Sequence, residues 1–173
     1  MRSVLLKTSL FCVALALAAL PVAAQGTEVG FGNTEHDSSA PVEVVADQLD
    51  VQRSEGKAKF TGNVVVTQAE MRLFGDVVDV QYAENLEGET EIQWVHAVGN
   101  VTLLNGAEAA EGDDAVYTVE SGEVVMTGDV LVTQGENTMA GEMLTVNLDS
   151  GVGVMEGRVK VFFNPESQSD QAE

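Results

Sequence analysis

The sequence has a single cysteine, Cys12, set in an apolar run near the start of the chain behind the bulky Phe11. A chain processed after that run holds no thiol, which excludes disulfides, a thiolate nucleophile and cysteine-ligated metal. Basic residues are almost as scarce: 8 Lys and Arg stand against 28 Asp and Glu, for a formal net charge of −20. That balance argues against nucleic acid as a partner, because phosphate binding needs clustered cations. The two histidines, His36 and His96, lie far apart and lack zinc-ligand spacing. There is no Gly-x-Ser-x-Gly elbow, no glycine-rich phosphate loop and no Cys/His pair. Carboxylates are abundant, but on strand surfaces of this composition they do not single out an acid/base dyad. Asp113-Asp114 and Glu87-Gly-Glu-Thr-Glu match no ordered calcium loop and read as solvated turns. The expectation is a protein without enzymatic activity, cofactor or metal.

Two positive charges, Arg2 and Lys7, precede the apolar stretch Ser9 to Leu20, and Pro21-Val-Ala-Ala24 supplies small residues after it. Residues 1–24 therefore read as a secretory signal, too short to span a bilayer comfortably, for which about 20 apolar residues are needed. Cleavage after Ala24 leaves 173 − 24 = 149 residues, room for one domain, and a formal charge of 6 − 28 = −22. Residues 25–40 read as a flexible leader and 165–173 as a disordered polar tail, which leaves 41–164 as the folded domain. Of the remaining basic residues Arg53, Lys57, Lys59 and Arg72 come early and Arg158 and Lys160 late. The wholly acidic middle reads as a solvated, self-repelling face.

Within 41–164 the chain repeats itself. Gly62-Asn-Val-Val-Val-Thr-Gln, Gly99-Asn-Val-Thr-Leu-Leu, Gly128-Asp-Val-Leu-Val-Thr-Gln and Gly157-Arg-Val-Lys-Val-Phe are spaced 37, 29 and 29 residues apart. A second series, Ala46-Asp-Gln-Leu-Asp-Val, Gly75-Asp-Val-Val-Asp-Val, Gly112-Asp-Asp-Ala-Val-Tyr and Gly141-Glu-Met-Leu-Thr-Val, is spaced 29, 37 and 29. Both series give a 29-residue unit with one eight-residue insertion, placed at Ala83 to Trp94. A fixed period of this size marks a stacked repeat, each unit covering its neighbour's apolar face.

Apolar residues alternate within each unit, the period of a strand, and no segment carries a helical stripe. Val64 and Val66, Val101 and Leu103, Val130 and Val132, and Val159 and Val161 are expected to face inward. So are Leu49 and Val51, Val78 and Val80, Ala115 and Tyr117, and Leu144 and Val146, with Phe60, Ala97, Met126 and Met155 continuing the alternation. Val65, Thr102, Leu131 and Lys160 in one series, and Asp50, Asp79, Val116 and Thr145 in the other, fall on the outer face. The repeated glycines mark corners or bulges, and Ser54-Glu-Gly, Glu87-Gly, Glu120-Ser-Gly and Asp149-Ser-Gly close hairpins. Trp94, the lone tryptophan, is expected to pack the insertion onto the sheet. The fold class is all-β: a twisted β-jellyroll or short solenoid of about four repeats in two stacked sheets, open at both ends. Uncapped strand edges recruit other strands, so head-to-tail self-association is expected.

Pro41-Val-Glu-Val-Val-Ala-Asp-Gln-Leu-Asp-Val, Phe60-Thr-Gly-Asn-Val-Val-Val-Thr-Gln and Met71-Arg-Leu-Phe-Gly-Asp-Val-Val-Asp-Val resemble the opening of the LptA/OstA-like lipopolysaccharide-transport family. The resemblance runs from about Pro41 to Asn164 and is strongest in Thr61-Gly-Asn-Val-Val-Val-Thr-Gln, with Met126-Thr-Gly-Asp-Val-Leu-Val-Thr-Gln as its echo. It implies a periplasmic β-jellyroll that binds lipopolysaccharide and links an inner-membrane transporter complex to an outer-membrane assembly protein through homologous jellyrolls. Acyl chains are then expected against Val42, Val44, Leu49, Val64, Val66, Leu73, Val78, Val80, Val101, Leu103, Tyr117, Met126, Val130, Val132, Leu144, Val146, Val159 and Val161. Val42, Val44, Val64 and Val161, near the open ends, are the best placed. Arg53, Lys57, Lys59, Arg72, Arg158 and Lys160 are the candidates for headgroup or edge contacts. Three readings compete: the jellyroll of the inner-membrane-anchored transport partner, a structural or adhesive β-solenoid, and a carrier for another amphipath.

Overall fold

The computed structural model describes residues 26–32 and 36–164. The expected signal, residues 1–24, and the expected tail, 165–173, lie outside the described residues. Eleven strands follow in order: β1 (Thr27–Gly30), β2 (Glu43–Val45), β3 (Gln48–Gln52), β4 (Lys57–Gln68), β5 (Met71–Glu84), β6 (Thr90–Asn105), β7 (Glu108–Thr118), β8 (Glu123–Gln134), β9 (Asn137–Asn147), β10 (Val152–Glu156) and β11 (Lys160–Phe162). They form one antiparallel sheet ordered β1-β10-β9-β8-β7-β6-β5-β4-β2, with β3 also on β4 and β11 also on β9. One 3-10 turn, Arg53–Glu55, is the only helical element among the described residues. Two stacked sheets were expected. The architecture is instead one continuous open sheet whose long strands bend at their middles.

The bend is written in the first repeat series. Ladder pairing shifts register at Thr61/Val64, Val98/Val101 and Thr127/Val130, where the Gly-Asn or Gly-Asp pair stands as an insertion against the neighbouring strand. Gly99 has φ +80° and Asn100 φ +48°, and the same two-residue left-handed corner recurs at 62/63, 128/129 and 157/158. Asn suits the second position because it tolerates the left-handed region better than other side chains. Each corner packs on the acidic residue of the second series: Asn63 Nδ2 donates to Asp47 Oδ2 at 2.8 Å, and Asn100 Nδ2 donates to Asp76 Oδ2 at 2.7 Å. The last corner substitutes an ion pair, Arg158 to Glu142 at 2.7 Å.

The third corner places Asp129 in the equivalent position opposite Asp113, two acids where the others have a donor and an acceptor. Asp129→Asn restores the repeat's own pairing and a better left-handed residue. It is expected to stabilise the fold by about 0.5 kcal/mol, the low end for an exposed hydrogen bond, with the gain over wild type in a thermal melt shrinking as salt rises.

Cross-strand partners share a face, so the ladders convert into rows. On the limb that carries the insertion, one inward row runs Leu49, Phe60, Val78, Ala97, Ala115, Met126, Leu144, Met155, and the next runs Val51, Ala58, Val80, Val95, Tyr117, Val124, Val146, Gly153, Val29. On the other limb, here the rim limb, Val44, Val66, Leu73, Leu103, Ala110, Val132, Met139 and Val161 align. Rows from both limbs join one buried cluster, so the limbs face each other across a shared interior. Val65, Thr102, Leu131 and Lys160 align on the outer face, as do Asp50, Asp79, Val116 and Thr145.

The leader expectation needs correction. Thr27–Gly30 is a strand that pairs with β10 and caps that edge of the insertion limb, and Val29 and Phe31 are 2% and 1% exposed in the core. The segment then returns to β2 at the opposite end of the sheet. The remaining edges are uncapped among the described residues, and Val45, Leu49, Val51, Val161, Phe162 and Phe163 stand exposed along them.

Candidate functional site

The concave interior is the candidate site. Of the eighteen positions expected to touch acyl chains, Val64, Val66, Leu73, Val78, Val80, Val101, Leu103, Tyr117, Met126, Val130, Val132, Leu144 and Val146 are buried in the shared cluster. Val42, Val44 and Val159 are partly buried against it. Leu49 and Val161 lie on the inward rows but are 54% and 39% exposed, because they occupy the end strands where the stack stops. The row positions agree with the alternation in the sequence; only burial at the ends departs from it.

Hairpin ends close one margin of the rim limb. Along that margin Gln68, Met71, Asn105, Glu108, Gln134 and Asn137 are consecutive cross-strand partners and therefore share the inward face. Three of the six are amides from equivalent repeat positions, two residues beyond Val66, Leu103 and Val132. Gln68 and Asn105 are 1% and 0% exposed.

The chain on either side of residues 33–35 lies against this margin. Gln68 Nε2 donates to the backbone oxygens of Ser38 at 2.7 Å and Ala40 at 2.9 Å. Those acceptors fix the amide orientation, so Gln68 Oε1 accepts from the Tyr117 hydroxyl at 2.7 Å. Tyr117 Oη is then left as the acceptor for His36 Nε2 at 2.9 Å, which assigns the ring proton to Nε2. Farther along, Gln134 Nε2 donates to the Gly30 oxygen and Glu108 Oε2 accepts from the Gly32 amide, while on the facing insertion limb the Phe31 amide donates to the oxygen of Gly151, in the β9–β10 turn, at 2.7 Å. Sequence reading missed this margin. Its signal was the Thr-Gln ending of the repeat, where a polar residue continues the inward alternation.

Burial lowers the His36 pKa from its ordinary value, opposed by the charge of Asp149, hydrogen bonding of the ring to Gln68 and the charge of Asp37. Burial also raises that of Tyr117, with Asp149 adding to the effect. Among the described residues His36 Nδ1 is buried without a partner, so the folded state favours the neutral ring. The unfolded chain takes a proton near pH 6.5, the ordinary His value. The stability contributed by neutral His36 is thus complete above about pH 6.5 and is lost as pH falls through the lower folded-state value. Between pH 7.5 and 5 the melting temperature of His36→Gln is expected to fall less than that of wild type, measured at constant ionic strength.

Near the N-terminal end of the margin a cavity of about 600 Å3 opens between the limbs, lined by Ser38, Ser39, Ala40, Val42, Gln68, Thr90, Glu91, Ile92, Val119 and Glu120. Its size falls in the range of pockets that take small molecules, about 300–1,000 Å3. Three of its residues come from the start of β6, so the inserted segment lengthens the β5–β6 hairpin and supplies one wall. Trp94 does not face this opening. It lies on the outer row with Gln52, Lys57 and Gln81, half-buried beside His96, whose Nε2 is 2.7 Å from Asp114 Oδ2.

The six basic candidates also face outward or sit at corners. Lys57 is 3.4 Å from Glu55, Lys59 is 3.7 Å from Asp79, and Arg158 is held by Glu142. Arg53 is exposed in the 3-10 turn, and Arg72 and Lys160 are exposed on the outer face of the rim limb. None is brought to the interior margin. No group of three or more metal-ligating side chains occurs among the described residues, and no helix there is long and apolar enough to cross a membrane.

Residues 43–152 match the family model described as LptA/(LptD N-terminal domain) LPS transport protein. A protein of Rhizobium meliloti described as uncharacterized is 28% identical over 153 residues, 84% of this chain and 82% of its own length. The lipopolysaccharide export system protein LptH of Pseudomonas aeruginosa is 30% identical over 115 residues, 62% of this chain and 63% of its own length. The crystal structure of LptH from Pseudomonas aeruginosa, described as the LptA-homologous periplasmic component of the lipopolysaccharide transport device, superposes with a TM-score of 0.67 at 23% identity, covering 75% of this chain and 99% of that one. That likeness establishes the jellyroll fold.

Proposed function

The chain belongs to the LptA/(LptD N-terminal domain) LPS transport protein family, and from that membership we propose that it is a periplasmic, non-enzymatic bridge that carries lipopolysaccharide, acyl chains inward, along the interior between its two limbs. The observation that carries this reading is the continuity of the inward rows. Apolar side chains run without a break from Val44 on β2 to Val161 on β11, and the row opens towards its ends, where Val44 is only partly buried and Val161 is 39% exposed. An acyl chain of about twelve methylenes costs roughly 10 kcal/mol to place in water, at about 0.8 kcal/mol per methylene. A track of interchangeable apolar contacts removes that cost without a deep specific site.

Partners of the same architecture follow from the edges. Among the described residues, β2 and β3 at one end, and β11 with Phe162 and Phe163 at the other, present strand edges with no neighbouring strand beside exposed apolar side chains, suited to β-augmentation by a homologous jellyroll or a second copy. A molar mass that rises with concentration in light scattering supports this assembly; a constant monomer up to high concentration sinks it.

The carrier reading is tested with a photo-crosslinking residue at Val64, 1% exposed on the interior, and in a second variant at Thr102, on the outer row. Lipopolysaccharide captured at position 64 and not at 102 is the expected result. Equal capture at both, or none, would remove the interior as the lipid path.

A further inference from the structure

We propose that Val29–Gly32 and His36–Ala40 form an internal ligand of the rim: a strap whose backbone carbonyls occupy the amides that would take the acyl carbonyls of a lipid, and which leaves when the interior is loaded. The proposal rests on the carrier reading above. Its basis is the agreement between the strap's contacts and the repeat.

Gln68, Asn105 and Gln134 are spaced 37 and 29 residues apart, the spacing of the corner glycines. All three lie in one cross-strand row facing inward. The two outer rungs donate to strap carbonyls, those of Ser38 and Ala40 at one end and of Gly30 at the other. Within the row, Glu108 accepts the Gly32 amide. The middle rung, Asn105, is fully buried with neither Oδ1 nor Nδ2 partnered among the described residues. It lies directly behind Gly32, whose position has no room for a Cβ because Asn105 fills it.

A fully buried amide with no partner is costly, and amides recurring at equivalent repeat positions are an unusual lining for a core that is otherwise almost wholly apolar. The strap explains two rungs and leaves the third unused. Ester and amide carbonyls at the heads of acyl chains are acceptors of the same kind as the backbone carbonyls now bound there. An acylated glycolipid presents several such carbonyls together with the apolar chains that the adjoining row would bury. The strap supplies few buried apolar groups of its own, chiefly Val29 and Phe31 at one end. It is therefore the element that a multi-acyl ligand displaces most readily.

Hydrogen exchange with mass spectrometry on peptides spanning 26–42, with and without lipid A, tests the displacement. Capture at position 64 is measured in parallel. Lipid A is expected to raise exchange of the Phe31, Gly32 and Ala40 amides about tenfold while the amides of β6 to β9 stay protected, the signature of local release. Dodecyl maltoside, which has an alkyl chain but no acyl carbonyl, should leave the strap in place. Gln134→Leu, which removes one donor at a half-exposed site, should raise strap exchange without ligand and increase capture of lipid A. Capture at position 64 with unchanged strap exchange would overturn the strap proposal and leave the carrier reading standing. Equal release by dodecyl maltoside would overturn the carbonyl assignment. Absence of capture in wild type and Gln134→Leu alike would bring down the carrier reading and the strap with it, whereas capture in Gln134→Leu alone would support the strap as the competitor.

Discussion

Gly99→Ala is expected to cost the fold about 3 kcal/mol, against about 1 kcal/mol for Gly88→Ala, although the two glycines have nearly the same backbone angle. Their φ values are +80° and +82°. An L-residue in that region costs about 1–2 kcal/mol wherever it stands. The surroundings make the difference: a Cβ at Gly88 meets nothing within 4 Å, whereas one at Gly99 lies 2.6 Å from an Asp76 carboxylate oxygen. That carboxylate is held by the Asn100 side chain and has little freedom to retreat. Chemical denaturation of both variants measures the gap. Combining Gly99→Ala with Asp76→Ala should cost less than the sum of the single changes, because the collision is removed along with the hydrogen bond. Equal losses at positions 88 and 99 would mean that the corner is not packed, and that the glycine repeat reflects chain direction alone.

The corner also shows why so much of the fold was legible. Two interleaved series, Gly-Asn and Gly-Asp, gave the same 29-residue period from the sequence because each Gly-Asn corner packs on an acid of the other series. Strand parity was legible for a similar reason: on the strands of the first series it carries through the corner, from Phe60 to Val64 and from Ala97 to Val101, so Val65, Thr102, Leu131 and Lys160 form one outer row, while on β5, β7 and β9 it steps by one residue at the bend, as between Leu73 and Val78. Burial at the ends was not legible from parity, since Leu49 and Leu103 have the same inward pattern and differ only in whether a strand lies beyond them. The leader was misread because most of its side chains are small or polar, with Val29 and Phe31 as its two buried apolar anchors, and much of the rest of its attachment runs through the backbone. Gly30, Ser38 and Ala40 contribute carbonyls, and composition does not register a carbonyl. The complementary signal lay in Gln68, Asn105 and Gln134, polar residues that keep the inward parity in three successive repeats.

Leu103→Ala and Leu49→Ala separate the two roles that an inward residue can have. Leu103 is 0% exposed at the centre of the rim-limb row, and truncating it is expected to cost about 2–5 kcal/mol, the range for a buried leucine whose cavity only partly collapses. In a domain of this size that lowers the melting temperature by on the order of 10 °C. Leu49 sits on an inward row, but on β3 with nothing stacked beyond it, and is 54% exposed. Its truncation is expected to cost under about 1 kcal/mol in the monomer, because little area leaves water. If that edge receives another jellyroll, Leu49→Ala should instead weaken concentration-dependent association. A thermal melt and light scattering on the same two variants therefore give opposite orders of severity: position 103 dominates stability and position 49 dominates assembly. A Leu49→Ala protein that associates like wild type would take this edge out of the interface, and one that melts as low as Leu103→Ala would show that β3 is part of the core.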